Sequence, residues 1–498
     1  MGRYYLGIDQ GTTLTTAVLT DENWNVISKA SVSHHNYYPE PGWVEQNPEE
    51  IYDNCILATK TALEKIPGAK AQDIYAMGLD HQGETCCAWD STTGKPVYSA
   101  IVWQDRRTAL AAGRINAKYG DEILNICGMR PDAYYSATKF KWIIENVPEA
   151  KKCKEQGTLL MGTLNTYIFW RLTGGECFVT DPSSASCTML MDLKECKWSS
   201  RLLDIFGLSK EWLPTIVDNS CEIGYTKPEI FLDAKVMIGG TTADSSAAII
   251  GGGCFQEGIL KTSYGTGNFM SLHTGNNIAR SEKDIFADCI WKHKDKAFYR
   301  LRGACYTAGG AVEWLKNGIG LIKKPQDTEE ICKSVEDTKG VYFVPAFTGL
   351  ATPFWDQYAR GTIVGLTAGA EDKHIVRAVM ESIAYQVAVC YRAMSEATDQ
   401  KCITMRADGG MVENDFLMQF QSDVLGVPVE IPVEKETAAL GSACIAGITT
   451  GVLEGPEAMR EKAKIKKIYE PKMSLDEREE KLYLWNKAVK KSLQWAER

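Results

Sequence analysis

Two apolar runs near the start of the chain, residues 4–8 and 17–19, flank a short polar turn. The turn carries one carboxylate, one glycine and two hydroxyls: Asp9, Gly11, Thr12 and Thr13. The pattern predicts a β-hairpin whose glycine lets backbone N–H groups approach an anion. A carboxylate at such a turn suits Mg²⁺ and its waters, which makes the turn a candidate phosphate site. An ordinary hairpin turn that binds nothing is the alternative.

The 498-residue length predicts two domains of roughly 250 residues each. A net charge of -9, without a basic run, argues against nucleic acid as a partner. No basic segment followed by an apolar segment opens the chain, and no apolar run is long enough for a bilayer. We therefore expect a cytoplasmic protein with no membrane segment.

The sixteen cysteines are scattered along the chain, and no C-x-x-C spacing occurs. The six histidines do not cluster either, so the sequence offers no zinc site. Reduced, buried thiols are the simplest interpretation.

A second strand–turn–strand pattern begins the second half of the chain. Residues 258–263 predict a strand, Thr266 and Gly267 lie in a small turn, and residues 269–272 predict the next strand. A third glycine turn, at 407–411, follows a predicted strand at 402–405. Helical patterns separate these strands and are predicted to begin at four positions: Pro48 (with Asn47 as N-cap), Asp372, Asn414 and Ser474. The alternation predicts an α/β protein of two related halves that face each other across a cleft.

Two longer motifs resemble the signatures of the FGGY family of carbohydrate kinases, and within it the glycerol kinases. Residues 134–146 match the first signature at every constrained position: Tyr134, Ser136, Lys139, Phe140, Trp142, Ile143, Glu145 and Asn146. Residues 361–381 match the second signature in the same way: Gly361, Ile363, Gly365, Leu366, His374, Ile375, Ala378, Val379, Met380 and Glu381.

The resemblance implies two ribonuclease-H-like domains of the actin and hexokinase type that flank a nucleotide cleft. Residues 1–250 would form the substrate and phosphate side with the catalytic Asp, and residues 251–498 the nucleotide side. The implied activity is transfer of the γ-phosphate of ATP, with Mg²⁺, to a terminal hydroxyl of a small polyol or sugar. Homodimers and homotetramers are common in the family, so either assembly is compatible with the resemblance.

The resemblance also assigns individual residues. Asp244 matches the general base, although it follows a predicted strand and could instead be only the N-cap of the next helix. Asp9 matches the magnesium-associated acid. The positions that match nucleotide contacts are Gly11, Thr12, Thr13, Thr266, Gly267, Gly309, Glu313, Gly410 and Asn414. The positions that match substrate contacts are Gln82, Gly83, Glu84, Trp103, Tyr134, Asp244, Ser245 and Phe269. Ordinary turn glycines and core aromatic residues are the alternative for several of these positions.

Two substrate positions depart from the glycerol-kinase pattern, because Gly83 stands where an arginine is usual and Ser245 where a glutamine is usual. The vacated volume favours a larger polyol, a tetritol or pentitol, or a ketose. The alternative is that another residue or a water fills the gap and glycerol remains the substrate. A non-catalytic, ATP-binding regulator of the actin fold is a further alternative, and the presence of both Asp9 and Asp244 argues against it. The segment 224–235 lacks both a recognisable fructose 1,6-bisphosphate loop and a histidine that could be phosphorylated.

Overall fold

The computed structural model describes residues 3–280, 285–398 and 400–496. Its helices, numbered in chain order, are α1 (Pro48–Glu64), α2 (Ala109–Cys127), α3 (Ser136–Asn146), α4 (Pro148–Gln156), α5 (Leu164–Leu172), α6 (Pro182–Cys187), α7 (Ser200–Phe206), α8 (Asp244–Gly251), α9 (Gly309–Glu313), α10 (Asp327–Lys333), α11 (Asp372–Glu396), α12 (Asp415–Leu425), α13 (Thr437–Thr449), α14 (Met459–Lys462) and α15 (Leu475–Ser492). No described helix combines the length and the apolar composition that a membrane span requires.

The first half of the chain forms a mixed sheet of six described strands. They are β1 (Tyr4–Gln10), β2 (Leu14–Thr20), β3 (Val26–Ser33), β4 (Ile74–His81), β5 (Ser220–Tyr225) and β6 (Met237–Ala243). Their order across the sheet is β5-β6-β4-β1-β2-β3. The first three strands form an antiparallel meander, while β4 and β6 run parallel to β1. The predicted hairpin at residues 4–19 is confirmed by β1 and β2.

The second half repeats this topology in a sheet of seven described strands. They are β7 (Ile259–Tyr264), β8 (Asn268–Gly275), β9 (Phe286–His293), β10 (Lys296–Cys305), β11 (Thr404–Gly409), β12 (Val429–Pro432) and β13 (Ile465–Tyr469). The order is β9-β10-β8-β7-β11-β12-β13, with an antiparallel meander followed by two parallel strands and an antiparallel edge strand. Strand β9 is an addition that has no counterpart in the first sheet. The prediction of two related halves agrees with this repeat.

Shorter described strands complete the structure. A four-stranded sheet contains Glu45–Gln46, Ala100–Ile101, Cys86–Asp90 and Leu159–Thr163. Three two-stranded ribbons contain Met191–Asp192 with Lys197–Trp198, Val179–Thr180 with Thr215–Ile216, and Tyr342–Val344 with Thr362–Val364.

Helix α13 joins the two halves, because it packs against α8 and against strands β1 and β4 of the first sheet. Small residues line its contact surface, and the approach is so close that a Cβ atom on Gly7 would lie 1.8 Å from the carbonyl oxygen of Ala439. A buried apolar cluster, which includes Tyr5, Ile249 and Leu440, surrounds this contact. A helix from the second half therefore completes the core of the first half.

The predicted helix starts agree with the structure. The Asn47 side chain accepts a hydrogen bond from the Glu49 N–H at 3.0 Å, and Pro48 is the first residue of α1. The Asn414 and Ser474 side chains cap α12 and α15 in the same manner. The prediction of a strand at 402–405 was displaced: β11 runs to Gly409, because parallel pairing with β7 extends it through the predicted turn.

Candidate active site

The phosphate turn of the first half lies between β1 and β2. The Gly11 N–H donates to the Leu14 carbonyl at 3.0 Å and closes the turn. The Trp103 indole N–H donates to the Thr12 hydroxyl at 2.9 Å. Thr13 is exposed beside Thr12, so backbone and hydroxyl groups of the turn face the open cleft.

A cluster of carboxyl groups lies behind this turn. Asp9 and Asp80 are register partners at the ends of the parallel strands β1 and β4. Burial and the nearby Asp244 raise the pKa of Asp9 to about 7. Burial and Asp9 raise the pKa of Asp80 well above its usual value, and Ser442 donates a hydrogen bond to Asp80 Oδ2 at 2.7 Å. Asp80 was not among the predicted site residues, although it directly precedes the run 81–85 that was singled out.

The cluster fits a divalent cation that also binds phosphate. Asp80 Oδ1 is a buried acceptor that has no hydrogen-bond partner in the described structure. The raised pKa values of Asp9 and Asp80 indicate that little positive charge stabilises their carboxylates. No group of three or more acidic, histidine or cysteine side chains among the described residues could hold a metal on its own. A Mg²⁺ ion here would therefore take its other ligands from nucleotide phosphates and water.

Asp244 lies where β6 ends and α8 begins. Ala243 is the N-cap, and Asp244 is the first residue of the helix, so the alternative that Asp244 only caps α8 is wrong. Its carboxylate accepts a hydrogen bond from the Ser245 N–H. Desolvation and the neighbouring Glu84 raise the pKa of Asp244 to about 6, whereas Arg302 and Arg300 lower it. A carboxylate in this state is deprotonated at neutral pH and basic enough to accept a proton.

Glu84, Trp103 and Tyr134 come together on the first-half side of the cleft. The Trp103 and Tyr134 rings lie edge to face, with 5.7 Å between their centroids. The buried Lys139 ammonium, whose pKa burial lowers to about 8, donates to the Tyr134 carbonyl at 2.7 Å. The lysine of the first signature therefore holds the backbone that carries Tyr134.

The Gln82 side chain forms hydrogen bonds with neighbouring protein groups. Its amide N–H donates to Gln46 Oε1 at 2.7 Å, and its carbonyl oxygen accepts from the Thr85 hydroxyl at 3.0 Å. Gln82 is buried. The structure thus places this predicted substrate contact behind the site, where it positions the loop that carries Glu84.

Two arginines on β10, which the sequence does not identify, contact Glu84, Tyr134 and Ser245 of the first half. Arg302 Nη1 lies 3.0 Å from Glu84 Oε1, and Nη2 lies 3.0 Å from the Tyr134 hydroxyl. Arg300 Nη2 donates to the Ser245 hydroxyl at 2.9 Å. Both arginines are held by Asp288 of β9, with Arg300 Nε 2.6 Å and Arg302 Nη1 3.3 Å from its carboxylate.

The space beside Gly83 is filled. A Cβ atom on Gly83 would lie 3.1 Å from the Cys187 sulfur, which is tighter than an ordinary contact. Phe269 is 54% exposed on β8, next to β10, and presents an apolar ring to the cleft. The two departures from the expected pattern therefore have not left an empty pocket on the first-half side.

A cavity of about 790 Å³ lies at the second phosphate turn. Its lining contains four predicted nucleotide residues, Thr266, Gly309, Glu313 and Gly410. Residues of a π-helical turn, Trp314–Gly318, also line it. Turns of this type are often found at functional sites.

Two predicted nucleotide residues of the second half, Gly267 and Asn414, lie outside the lining of this cavity, as do Gly11, Thr12 and Thr13 of the first half. Gly267 is buried, and a Cβ atom there would lie 2.5 Å from the Cys305 carbonyl oxygen, so close packing of the turn explains the glycine. The Asn414 carbonyl oxygen accepts from the Leu417 N–H, and its amide donates to the Thr328 hydroxyl. Both groups of the Asn414 side chain are occupied within the second half.

Two α/β halves of one topology, two hydroxyl-bearing turns and a basic carboxylate between them define an ATP-dependent phosphotransferase. The family models agree: the FGGY N-terminal domain model for carbohydrate kinases matches residues 4–251, and the C-terminal domain model matches residues 260–450. The chain belongs to the FGGY family of carbohydrate kinases.

Individual relatives place the chain near the glycerol kinases. It is 43% identical over 497 residues to glycerol kinase 2 of Thermotoga maritima, with 100% of each chain covered. It is 42% identical over 496 residues to a glycerol kinase of Thermococcus gammatolerans, with 100% of this chain and 99% of the relative covered. The crystal structure of Plasmodium falciparum glycerol kinase with ADP superposes with a TM-score of 0.93 at 33% identity, covering 99% of this chain and 98% of that one.

Proposed function

We propose that this kinase transfers the γ-phosphate of MgATP to a terminal hydroxyl of a short, uncharged polyol, and that glycerol is the acceptor. The observation that carries the proposal is the pair of arginines on β10. Arg302 contacts Glu84, the residue that follows Gly83 in the chain, and Arg300 contacts Ser245 itself. A long polar side chain therefore lies at Ser245 and another contacts the neighbour of Gly83.

The charge balance of the pocket supports an uncharged acceptor. Three carboxylates, from Glu84, Asp244 and Asp288, face the two guanidinium groups of Arg300 and Arg302. Among the groups of this pocket that the structure describes, these carboxylates balance the guanidinium charge and leave none to bind a carboxylate or phosphate group on the acceptor. Hydroxyl groups, which both donate and accept hydrogen bonds, suit this mixed environment.

Each group of site residues has its own role in phosphoryl transfer. Asp244 accepts the proton of the attacking hydroxyl, and Glu84 accepts a hydrogen bond from another hydroxyl of the acceptor. The turns at Thr12 and Thr266 supply N–H and hydroxyl donors to the phosphates, which positions the nucleotide. Asp9 would hold Mg²⁺, which neutralises phosphate charge when bound.

A larger polyol or a ketose remains the second candidate acceptor. The small Ser245 side chain supports it, since a reoriented Arg300 would open volume beside the catalytic carboxylate. Solved xylulose kinases share the fold, including one from Lactobacillus acidophilus at TM-score 0.85 and 24% identity. That likeness supports the architecture and not the substrate.

The direct test is ADP release with MgATP against glycerol, dihydroxyacetone, tetritols, pentitols and ketopentoses. We expect ADP release that depends on an uncharged polyol, with phosphate on a terminal carbon by ³¹P NMR. ADP release that no polyol or sugar stimulates would contradict the proposal and favour the non-catalytic regulator.

The pKa of Asp244 predicts an acidic limit to activity. Because the base must be deprotonated and its pKa is raised to about 6, kcat/KM for the acceptor should fall by about tenfold per pH unit well below that value. Saturating MgATP keeps the Asp9 site occupied during the measurement. Glu84→Gln removes a charge that raises this pKa, so the residual activity of that variant should have its acidic limb at lower pH. An acidic limb that is identical in both proteins would contradict the assignment.

Gly410 offers a test of the nucleotide cavity. A Cβ atom at this position would meet no atom within 4 Å, and Gly410 lines the cavity, so a larger side chain would project into the space for the nucleotide. We expect Gly410→Val to raise KM for ATP by about tenfold, through lost apolar contact and steric conflict, while KM for the acceptor changes little. An unchanged KM for ATP would place the nucleotide elsewhere.

A further inference from the structure

The Arg302 guanidinium lies at the boundary between the two halves. It reaches Glu84 Oε1 and the Tyr134 hydroxyl, both of the first half, at 3.0 Å each. Its side chain is 22% exposed, whereas that of Arg300 is 1% exposed and fully enclosed by its partners. Arg302 is therefore the arginine of this pair that a molecule in the cleft can touch.

The contacts of Arg302 leave donors free. A guanidinium carries five N–H groups in a rigid fork. Hydrogen bonds to Glu84 and Tyr134, both within the described residues, use two of them, and Asp288 lies 3.3 Å from the same Nη1 as an ion-pair partner. The remaining donors belong to a group whose charge is already balanced, which suits neutral hydroxyls.

Arg302 lies on the face of its strand that is turned toward Glu84 and Tyr134. Arg300 and Arg302 are two residues apart on β10 and share one face of the sheet. On the neighbouring β8, Ser271 is the register partner of Arg302, and Phe269 lies two residues further along the same face. The guanidinium thus contacts Glu84 and Tyr134, and the exposed Phe269 ring lies on the same face of the sheet.

We propose that Arg302 hydrogen-bonds a hydroxyl of the acceptor from the second-half side of the cleft and is a specificity-determining residue. The inference rests on the proposed function and deepens it. The acceptor is then held by Glu84 and Tyr134 from one half and by Arg302 from the other. Recognition of the acceptor hydroxyl consequently requires both halves to be together.

A substrate and variant cycle tests this role. The substrates are glycerol, propane-1,2-diol and propane-1,3-diol, since each diol lacks one hydroxyl of glycerol. In the wild type, kcat/KM for at least one diol should be about tenfold or more below that for glycerol, because a site built for a hydroxyl rejects its absence. Arg302→Met should raise KM for glycerol and shrink that discrimination to about threefold or less.

The controls separate recognition from folding. Arg201→Met removes an exposed arginine that pairs with Glu122 on the surface, and it should leave all three kcat/KM values unchanged. KM for ATP should stay within about twofold in Arg302→Met, which shows that the second half is intact. Arg302→Lys keeps the positive charge but loses the planar guanidinium. Its discrimination between glycerol and the diols should be intermediate. This variant keeps the test decisive if Arg302→Met fails to fold.

The outcomes are distinct. Equal losses of kcat/KM for glycerol and both diols in the Arg302 variants, with discrimination preserved, would overturn the inference and leave Arg302 as a structural partner of Glu84. Wild-type protein that phosphorylates no polyol would instead overturn the proposed function.

Discussion

Replacement of Asp244 by asparagine should lower kcat by about a thousandfold, within the range that loss of a positioned general base usually costs. The substitution keeps the shape of the side chain and removes the carboxylate that the end of β6 places near Glu84. Because the nucleotide cavity lies on the second half, KM for ATP should change little. Single-turnover measurement of phosphoryl transfer at saturating MgATP gives the rate of the chemical step.

Asp204→Asn is the matched control, since Asp204 is exposed on α7. That variant should retain the wild-type rate. An Asp244→Asn protein that folds normally and keeps a tenth or more of the wild-type kcat would contradict the role of Asp244 as base.

Replacement of Gly78 by alanine should produce the largest loss of stability. A Cβ atom on Gly78 would lie 2.0 Å from the Ser442 carbonyl oxygen. Helix α13 would therefore have to move away from the first sheet to accommodate alanine. Both partners are backbone, which cannot rotate away, and we expect a loss of about 3 kcal/mol, at the upper end for overpacking. The midpoint of thermal unfolding should shift downward by about 3–6 °C, depending on whether the whole chain or one half unfolds as a unit.

Gly113→Ala is the control for this substitution. Gly113 is exposed within α2, and a Cβ atom there would meet no atom within 4 Å. Alanine should stabilise the helix by about 0.5–1 kcal/mol. If Gly78→Ala were as stable as Gly113→Ala, the close packing of α13 on the first sheet would be wrong.

The sequence predicted those parts of the fold that depend on local patterns. Asn47 and Pro48 mark the start of α1 because capping and proline geometry act within one turn of the helix. The hairpin at Asp9 followed from two apolar runs around a glycine turn. The extent of β11 could not be predicted in this way, since pairing with β7, more than a hundred residues earlier, determines where it ends.

The candidate site was predicted only where a residue stands within a recognisable motif. Asp244, Glu84 and Tyr134 were found for that reason. Arg302 stands in the segment 299–303, where charged residues alternate with a buried leucine, which indicates a strand with one polar face but not its partner. Its contact with Glu84 spans 218 positions and exists only after the two halves meet.

A buried network in the first half centres on Arg107. Arg107 lies over the Trp43 ring at 3.7 Å and pairs with Glu45 and Asp105. Its side chain is 1% exposed, so the network cannot touch substrate. Family likeness marks such residues as strongly as contact residues, and only the fold separates the two groups.

We expect the pocket, with Arg300 and Arg302 of β10 in place, to fit a three-carbon polyol. The ratio of kcat/KM for glycerol to that for erythritol, threitol, xylitol and xylulose, under the same saturating MgATP, tests this directly. Glycerol should be preferred by about tenfold or more over each longer acceptor. A tetritol, pentitol or ketose that is preferred over glycerol would contradict it and would show that Gly83 and Ser245 have widened the pocket.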